Sequence, residues 1–366
     1  MIVINKQSIS WPANALTAAL GIRYPIVQGP LNGLKHQRLV AAVSNFGGLG
    51  SFGAHGLTPD AIRQSIAEIR AMTAKPFAVN LWVSMQDSGA ATSDKAAFSR
   101  SLAALSEALQ SLRAPLPSFE PFVPLRFEDQ AQILLEENVP VFSFICGIPA
   151  SDILAECRRR SIRTMGTATT VKEARALEAA GIDIIVASGF EAGGHRGSFL
   201  RPAEESLTGT FSLLPQVVDA VKAPVVAAGG VADARGLVAA LVLGAQGVQL
   251  GTAFLASEES GSYPSHRDAI RTGAAEHTVL TKSLTGRWAR GIENELTALL
   301  SKPEVEVLPY PLQRALVRSL TSAAEKANRP EWMQMWAGQS AGLSRSTDPV
   351  EFLQNLVRAS AAMIGG

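Results

Sequence analysis

Short apolar runs recur along the chain, and each is followed by a glycine-bearing turn and then by a segment rich in alanine and leucine. Most runs are continuous and β-branched and do not alternate with polar residues. Strands buried on both faces have this pattern, which is typical of a parallel sheet covered by helices. The eight runs are Tyr24–Gln28, Gly48–Phe52, Phe77–Val83, Val141–Cys146, Arg163–Gly166, Ile182–Ala187, Pro224–Ala228 and Gly247–Leu250.

Cap signals mark the starts of the helices between these runs. Thr58 before a proline is typical of a helix N-cap, and Thr170 with Glu173 predicts a capping box. Asp233 predicts the start of a further helix, which Gly244 ends. Strands that alternate with helices define an α/β fold. Eight of them favour a closed (β/α)8 TIM barrel over an open doubly wound sheet.

Two stretches interrupt this rhythm and predict the domain organisation. Residues 86–125 carry a helical pattern around Ala96–Leu112 and then a proline-rich segment, which predicts a long insertion after the third strand. Residues 260–330 follow the last strand and are predicted to form a second, smaller, mostly helical domain on the substrate side. Residues 1–259 then form the barrel, which residues 331–366 complete with a final helix.

The composition indicates a large core and no general affinity for polyanions. Hydrophobic residues make up 47% of the 366 residues and charged residues 18%, so disorder is not expected. The 33 lysines and arginines balance 32 aspartates and glutamates. This balance excludes a global field that would attract nucleic acid or an anionic membrane, and we expect neither as a partner.

Cysteine usage and the first residues of the chain predict a cytoplasmic location. Cys146 and Cys157 cannot form a disulfide framework, and no CxxC metal pattern is present, which favours a reducing compartment. The start lacks the basic segment and apolar stretch of a signal peptide. No uninterrupted stretch of about 20 apolar residues predicts a membrane span.

Two glycine-bearing turns follow the last two predicted strands. One contains Gly229 and Gly230, and the other contains Gly251 and Thr252. Convergent backbone N–H groups bind phosphate best where no Cβ intervenes, and the loops after strands seven and eight of a barrel often supply them. Ordinary strand–helix turns are the alternative, but two such turns at these positions favour a phosphate site.

The segment from Ile185 to Gly197 leaves a buried strand and enters a loop with four glycines. His195 lies on this loop, which is a poor place for a core histidine, and its side chain can donate or accept a proton near neutral pH. We therefore predict that His195 is catalytic; a solvent-exposed loop histidine is the alternative. Glu191 is expected to bind nearby backbone or solvent, and Arg196 is expected to be exposed.

The other histidines and two tryptophans receive structural interpretations. Five scattered histidines without a paired carboxylate cluster predict no metal site. Trp332 and Trp336 lie four positions apart and are predicted to share one face of a helix that packs on the barrel. The histidines expected on loops or helix surfaces are His36, His55, His266 and His277.

The run VASGFEAGGHRGSF at residues 186–199 is the most distinctive motif of the chain. It closely resembles the signature of the nitronate monooxygenases, once called 2-nitropropane dioxygenases. The resemblance spans residues 16–340 and includes, in order, PIVQGPLNG, GGLGSFG, FAVNLWV, VVAAGGVAD, VQLGTAFL, PYPLQRAL and MWAGQ. It implies a (β/α)8 barrel with a small helical domain, and FMN as the cofactor.

The resemblance also implies roles for individual residues. His195 matches the active-site histidine of the family, Asn80 an asparagine that contacts FMN, and Gly230 a glycine at the phosphate. The cofactor-binding residues implied in this way are Gln28, Gly29, Pro30, Asn80, Ser188, Gly193, Gly229, Gly230, Gln249, Leu250, Gly251 and Thr252.

Three positions depart from the family pattern. Ser188 stands where many relatives carry a glutamine that contacts the flavin, so this contact is lost or bridged by water. Tyr310 of the YP motif is kept, but Arg314 and Arg318 occupy the helix face where some relatives carry a second tyrosine and a lysine. The departure at Arg314 and Arg318 concerns substrate recognition and leaves the flavin site unchanged.

The implied activity is that of an FMN-dependent nitronate monooxygenase. It oxidises an alkyl nitronate such as propionate 3-nitronate with O2 to a carbonyl compound and nitrite, while the protein positions the substrate. His195 either stabilises the nitronate anion or removes the α-proton of a neutral nitroalkane. The partners are then small molecules, in a monomer or homodimer. The alternatives are an NAD(P)H-dependent reductase of a quinone or enoyl thioester on the same scaffold, a flavin-binding protein without turnover, and a non-flavin barrel that binds a sugar phosphate.

Overall fold

A computed structural model describes residues 11–84, 87, 95–119 and 125–365 of the chain. Its larger sheet contains eight parallel strands, one for each predicted run. The strands are β1 (Ile26–Gln28), β2 (Gly50–Gly53), β3 (Phe77–Trp82), β4 (Val141–Ile145), β5 (Arg163–Ala168), β6 (Ile184–Ser188), β8 (Val225–Ala228) and β9 (Gly247–Leu250). The strand β7 (Gly194–His195) belongs to a second sheet.

The parallel strands close into a barrel, as predicted. Their order is β1-β9-β8-β6-β5-β4-β3-β2, and a parallel bridge between Val27 and Leu49 joins the two ends. At this junction the backbone N–H of Gln28 donates to the carbonyl of Leu49 at 2.8 Å, and the N–H of Leu49 donates to Ile26 at 2.9 Å. Closure leaves no edge strand in this sheet, and its strands are buried by the barrel interior on one face and by helices on the other.

Helices alternate with the strands and cover the barrel. Their apolar faces pack on the buried strands, which accounts for the continuous hydrophobic runs of the sequence. The helices of the described residues, including those outside the barrel, are α1 (Ala15–Leu20), α2 (Gln37–Phe46), α3 (Pro59–Met72), α4 (Lys95–Ala103), α5 (Ser106–Ser111), α6 (Phe127–Glu136), α7 (Ser151–Arg159), α8 (Val171–Ala179), α9 (Thr210–Ala220), α10 (Ala234–Val242), α11 (Thr252–Leu255), α12 (Pro264–Arg271), α13 (Glu295–Leu300), α14 (Leu312–Ala327) and α15 (Pro349–Gly365).

The final helix α15 packs against α2 and α10. That residues 331–366 complete the barrel as a C-terminal return remains a prediction. The predicted caps at Thr58 and Asp233 are present, since each side chain accepts a backbone N–H of its helix. Only one of the two hydrogen bonds of the capping box predicted at Thr170 is present. Thr170 caps α8, but the Glu173 carboxylate accepts from the N–H of Thr169 instead of returning to Thr170.

A small antiparallel sheet lies outside the barrel, and the sequence did not predict it. It consists of β10 (Thr278–Thr281), β11 (Ala289–Ile292) and β7, with β11 in the centre. Two of its strands fall within residues 260–330, so this region combines helices with a hairpin. The predicted helix shared by Trp332 and Trp336 is wrong, because Trp336 instead forms a bridge with Gly291 of β11.

The helices outside the barrel share a second hydrophobic core. Phe98 and Leu109, from the insertion after β3, pack with Leu316 and Leu320 of α14. The boundaries predicted at residues 260 and 330 remain predictions, but this core joins the insertion to the later helices. Residues 120–124 of the proline-rich segment lie outside the described residues. Within the described ranges, no helix combines the length and apolar character needed to cross a bilayer.

Three histidines expected at the surface are buried: His36, His55 and His266. The His36 Nδ1 lies 2.9 Å from the carbonyl of Leu34, and its Nε2 accepts the backbone N–H of Gly53 at 3.3 Å. The acceptor role of Nε2 places the proton of the neutral ring on Nδ1. Burial lowers the pKa of His36 to about 4, because desolvation disfavours the charged ring.

The buried histidines predict a loss of stability on acidification. Below pH 6.5 the unfolded chain takes up protons that the folded chain does not bind at His36 until about pH 4. The free energy of unfolding therefore decreases as the pH is lowered from about 6.5 to about 4. His36 contributes a decrease of up to about 1.4 kcal/mol per pH unit. We expect His36→Gln to be less stable at pH 7.5 but to show a shallower decline toward pH 5, measured by urea unfolding. His277→Gln, at an exposed histidine, is the control, and equal slopes in His36→Gln and the wild type would contradict the prediction.

Candidate active site

The residues predicted to bind a cofactor lie at one rim of the barrel. Gln28 ends β1, Asn80 lies near the end of β3, and Ser188 ends β6. Gly229 follows β8 and Gly251 follows β9. Because the strands are parallel and the barrel is closed, their carboxyl ends meet at the same rim, where active sites of this fold lie.

The turn after β8 requires glycine for its backbone conformation. Gly229 has φ +93° and Gly230 has φ +76°, a region that other residues rarely adopt. The Thr210 hydroxyl donates to the carbonyl of Gly229 at 2.9 Å, and the Ser340 hydroxyl donates to that of Gly230 at 2.6 Å. Both carbonyls are thus held by the protein in a fixed turn.

The turn after β9 lies against the end of β1. The backbone N–H of Gly29 donates to the carbonyl of Leu250 at 2.7 Å. A Cβ at Gly29 would lie 3.3 Å from the Cα of Gly251, whereas a Cβ at Gly251 would meet nothing within 4 Å. A side chain at Gly29 would therefore be tight against the turn, and the open side of the turn is at Gly251, just before α11 begins at Thr252.

Gln28 and Asn80 have buried polar side chains with different partners. The Gln28 Oε1 accepts the N–H of Ser51 at 3.0 Å, so this side chain ties β1 to β2 inside the barrel. The Asn80 Nδ2 donates to the Ser143 hydroxyl at 3.0 Å. The Asn80 Oδ1 is buried without a partner among the described residues, and such an orphaned acceptor indicates a ligand donor that the protein itself does not supply.

The remaining predicted positions surround these turns. Ser188 is half-buried, and its carbonyl accepts from the Arg196 guanidinium at 3.1 Å. A Cβ at Gly193 would lie 2.5 Å from the backbone N of Gly338, so close backbone packing alone requires this glycine. The other predicted positions at the rim, Pro30, Gln249 and Thr252, are half-buried, whereas Leu250 is buried.

His195 lies on β7, half-buried between two indole rings. Its ring lies 4.7 Å from that of Trp82 and 5.2 Å from that of Trp336, in edge contacts. The Nε2 atom lies 2.9 Å from the Thr285 hydroxyl. On the backbone side, His195 pairs with Ala289 of β11, so the small sheet fixes its position. This placement contradicts the alternative of a solvent-exposed loop histidine.

The loop that carries His195 is anchored by buried charges. Arg196, expected to be exposed, is buried and donates to the carbonyls of Gly189, Ser188 and Ser206. The Glu173 carboxylate, also buried, accepts the backbone N–H groups of Phe199 and Leu200 at 2.6 and 3.0 Å. Glu191 accepts the N–H of Thr210 at 2.9 Å, one of the two roles expected for it.

An aromatic cluster that the sequence did not reveal adjoins His195. His55 stacks on Trp82 with ring centroids 4.0 Å apart, and its Nε2 lies 2.5 Å from the Tyr310 hydroxyl. The Arg287 guanidinium lies 4.5 Å from the Tyr310 ring centre and pairs with Asp87 at 2.7 Å. The FAVNLWV and YP motifs contain Trp82 and Tyr310, but neither indicated that His55, from a distant strand end, would join them.

Burial and nearby cations keep both histidines of the site neutral. Burial, followed by the charges of Arg314 and Arg287, lowers the pKa of His195 to about 3. Burial, followed by the charge of Arg314 and then by His195 and Arg287, lowers the pKa of His55 to about 2. At neutral pH each ring therefore has one N–H donor and one free lone pair. In the described part of the chain, no group of three or more His, Cys, Asp or Glu side chains is placed to hold a metal ion.

The fold and this rim define a (β/α)8 barrel with a half-buried histidine and two glycine turns at its carboxyl-terminal rim. The family model for nitronate monooxygenase matches residues 13–358. A probable nitronate monooxygenase of Staphylococcus haemolyticus is 41% identical over 95% of this chain and 97% of its own length. That of Staphylococcus saprophyticus is 40% identical over 94% and 96%. The chain belongs to the nitronate monooxygenase family.

Solved structures extend the comparison to two differently named proteins. Nitroalkane oxidase from Streptomyces ansochromogenes is similar with a TM-score of 0.86 and 35% identity, over 95% of this chain and 99% of that one. FabK from Thermotoga maritima is similar with a TM-score of 0.75 and 29% identity, over 96% and 97%. The barrel and its outer layer are therefore common to proteins with different names, so the fold alone does not specify a reaction.

Proposed function

We propose that the chain is an FMN-dependent nitronate monooxygenase. It oxidises an alkyl nitronate, such as propionate 3-nitronate, with O2 to a carbonyl compound and nitrite. The observation that carries this proposal is the position of His195, half-buried against Trp82 and Trp336 at the rim that also holds the two glycine turns. Family membership and the likeness to a nitroalkane oxidase support the same substrate class.

The residues at the rim fit FMN. The orphaned Oδ1 of Asn80 is an acceptor suited to an N–H of a flavin ring. The turns at Gly229 and Gly230 and at Gly251 and Thr252 would hold the phosphate through backbone N–H groups. The two turns suit one terminal phosphate, as FMN has, and no GxGxxG fingerprint follows the first strand. Both features favour FMN over FAD as the cofactor.

Bound flavin would supply the electron acceptor for the substrate, and the protein would orient the substrate and handle its proton. The pKa of about 3 for His195 supports a neutral imidazole at pH 7. A neutral ring can take the α-proton of a nitroalkane or donate a hydrogen bond to a nitronate oxygen, but it carries no positive charge. Positive charge near the substrate would come from Arg287 and Arg314, which lower that pKa.

An NAD(P)H-dependent reductase is the second candidate, and the likeness to FabK favours it. The two candidates differ in the compound that reduces the flavin. Anaerobic NADH or NADPH should bleach the flavin of a reductase rapidly, whereas a nitronate should bleach that of a nitronate monooxygenase. Stopped-flow absorbance with each compound separates them, and oxygen uptake with propionate 3-nitronate tests the proposed activity directly.

Gly230→Asp is expected to abolish FMN binding without unfolding the barrel. The substitution places a negative charge beside the proposed phosphate at a position with φ +76°. Gly230→Asn is the matched control, because asparagine has a similar size, tolerates positive φ and carries no charge.

The purified wild type should be yellow and release FMN on denaturation. Wild-type FMN affinity in Gly230→Asp would place the phosphate elsewhere, and a colourless wild type that takes up no FMN would refute the cofactor.

His195→Asn is expected to keep FMN bound but to lower turnover by about 10²-fold or more, as for a positioned proton-handling group. If His195 is a base, the loss on neutral nitroalkane should greatly exceed that on preformed nitronate. If it only donates to the anion, both should fall together. With a pKa of about 3, the His195 ring is already neutral at pH 6. Wild-type turnover of nitronate should therefore show no decline between pH 6 and 8 that is caused by deprotonation of His195. Unchanged kinetics on both substrate forms, with FMN content verified, would remove His195 from the mechanism.

A further inference from the structure

The hydroxyl of Tyr310 has two protein partners, and both can act as donors. Its oxygen lies 2.5 Å from the His55 Nε2 and 3.5 Å from the Arg314 Nη1. A guanidinium only donates hydrogen bonds. The Nδ1 of His55 is buried and has no partner among the described residues. These contacts restrict where the protons of the pair lie.

A neutral His55 allows two arrangements. If the Tyr310 hydroxyl donates to Nε2, the ring N–H must be on Nδ1, which leaves a buried donor unpaired. If Nε2 carries the proton and donates to the Tyr310 oxygen, Nδ1 is only an unpaired acceptor. Buried N–H groups without a partner are rarer in folded proteins than incompletely paired acceptors. The second arrangement is therefore favoured.

In that arrangement the proton of the Tyr310 hydroxyl has no acceptor among the described residues. The oxygen already accepts from His55 and Arg314, so its own O–H is free to donate elsewhere. Tyr310 also contacts Trp82, with ring centres 5.7 Å apart, and Trp82 in turn contacts His195. The Tyr310 hydroxyl therefore belongs to the same aromatic cluster as the candidate catalytic histidine.

We infer that His55 is a positioning residue that fixes the Tyr310 hydroxyl as a hydrogen-bond donor to an anionic oxygen of the substrate. This inference rests on the proposed function and extends it, because it assigns the substrate anion a donor in addition to His195. Stacking on Trp82 and the bond from its own backbone N–H to Asn32 at 3.2 Å hold His55 in place. Arg314, which also donates to the Tyr310 oxygen, makes the hydroxyl a stronger donor.

The test compares anion binding with catalysis in matched variants of the purified full-length protein. Tyr310→Phe removes the donor, and His55→Leu removes the group that orients it. His55→Gln is the conservative rescue, since its amide N–H can donate to the Tyr310 oxygen. Tyr263→Phe is the control for the loss of a hydroxyl, at a residue that bonds Glu325 on the outer helices. The dissociation constant for nitrite is measured by tryptophan fluorescence, and kcat/KM is measured with preformed nitronate.

We expect Tyr310→Phe and His55→Leu each to weaken nitrite binding and lower kcat/KM by about tenfold, the loss typical of one hydrogen bond to a charged group. The double variant should be no worse than either single variant, because both substitutions remove one donor. His55→Gln should remain within about threefold of the wild type. A purely structural His55 would lower stability but would leave the nitrite affinity of the folded protein unchanged.

Wild-type nitrite affinity in His55→Leu, or multiplied losses in the double variant, would overturn the inference. If Tyr310→Phe does not fold, the comparison of His55→Leu with His55→Gln decides alone, and equal affinities in those two variants count against it. If nitrite affinity changes across the variants as expected but the wild type oxidises no nitronate, the proposed function is refuted, whereas the assignment of Tyr310 as an anion donor is retained. If the wild type oxidises nitronate but the variants keep the wild-type nitrite affinity, the proposed function is retained and the inference on His55 and Tyr310 is refuted.

Discussion

The closure of the parallel barrel is the constraint on which every other feature of the site depends. Closure brings the carboxyl ends of strands that are far apart in sequence to one rim, and it is completed where β1 meets β2 through Val27 and Leu49. Gln28 reinforces the same junction through its side chain, which accepts the N–H of Ser51. A residue predicted to line the cofactor is thus also part of the joint that shapes the rim. Its role in packing and any role in binding cannot be separated by substitution at that position alone.

The second sheet explains how a histidine on a glycine-rich loop becomes rigid. β7 contains only Gly194 and His195, which is too short to be stable alone, and its pairing with β11 supplies the missing hydrogen bonds. Gly193 lets the preceding loop approach Gly338 closely, and Glu173 holds the following segment through two backbone N–H groups. The glycines therefore permit close packing here. A candidate catalytic group held in this way meets the requirement for a preorganised site.

The parts of the structure that could be predicted from sequence are those determined by local pattern. All eight barrel strands and the closing helix follow from continuous apolar runs and from helical periodicity. The pairing of β11 with β7 could not be predicted, because its partners Ala289 and His195 lie 94 positions apart in the chain. Arg196 was expected to be exposed because arginine usually is; its burial depends on three carbonyls that converge only in the folded loop. His55 was misassigned for the same reason, since its partner Tyr310 is 255 positions away.

The electrostatics of the rim separate the attraction of an anion from the handling of a proton. His55 and His195 are neutral because burial and two neighbouring arginines lower their pKa values. The cations that have this effect are guanidinium groups, which as a class keep their charge across the physiological range. Arg287 is partly neutralised by Asp87, whereas Arg314 makes no ion pair among the described residues. An anionic substrate is then attracted by arginine, while the neutral imidazole of His195 keeps a lone pair that can accept a proton. A protonated histidine would strengthen the attraction but lose that lone pair. Because a pKa of about 3 makes the neutral imidazole a weak base, the electrostatics favour hydrogen-bond donation to a nitronate over removal of an α-proton.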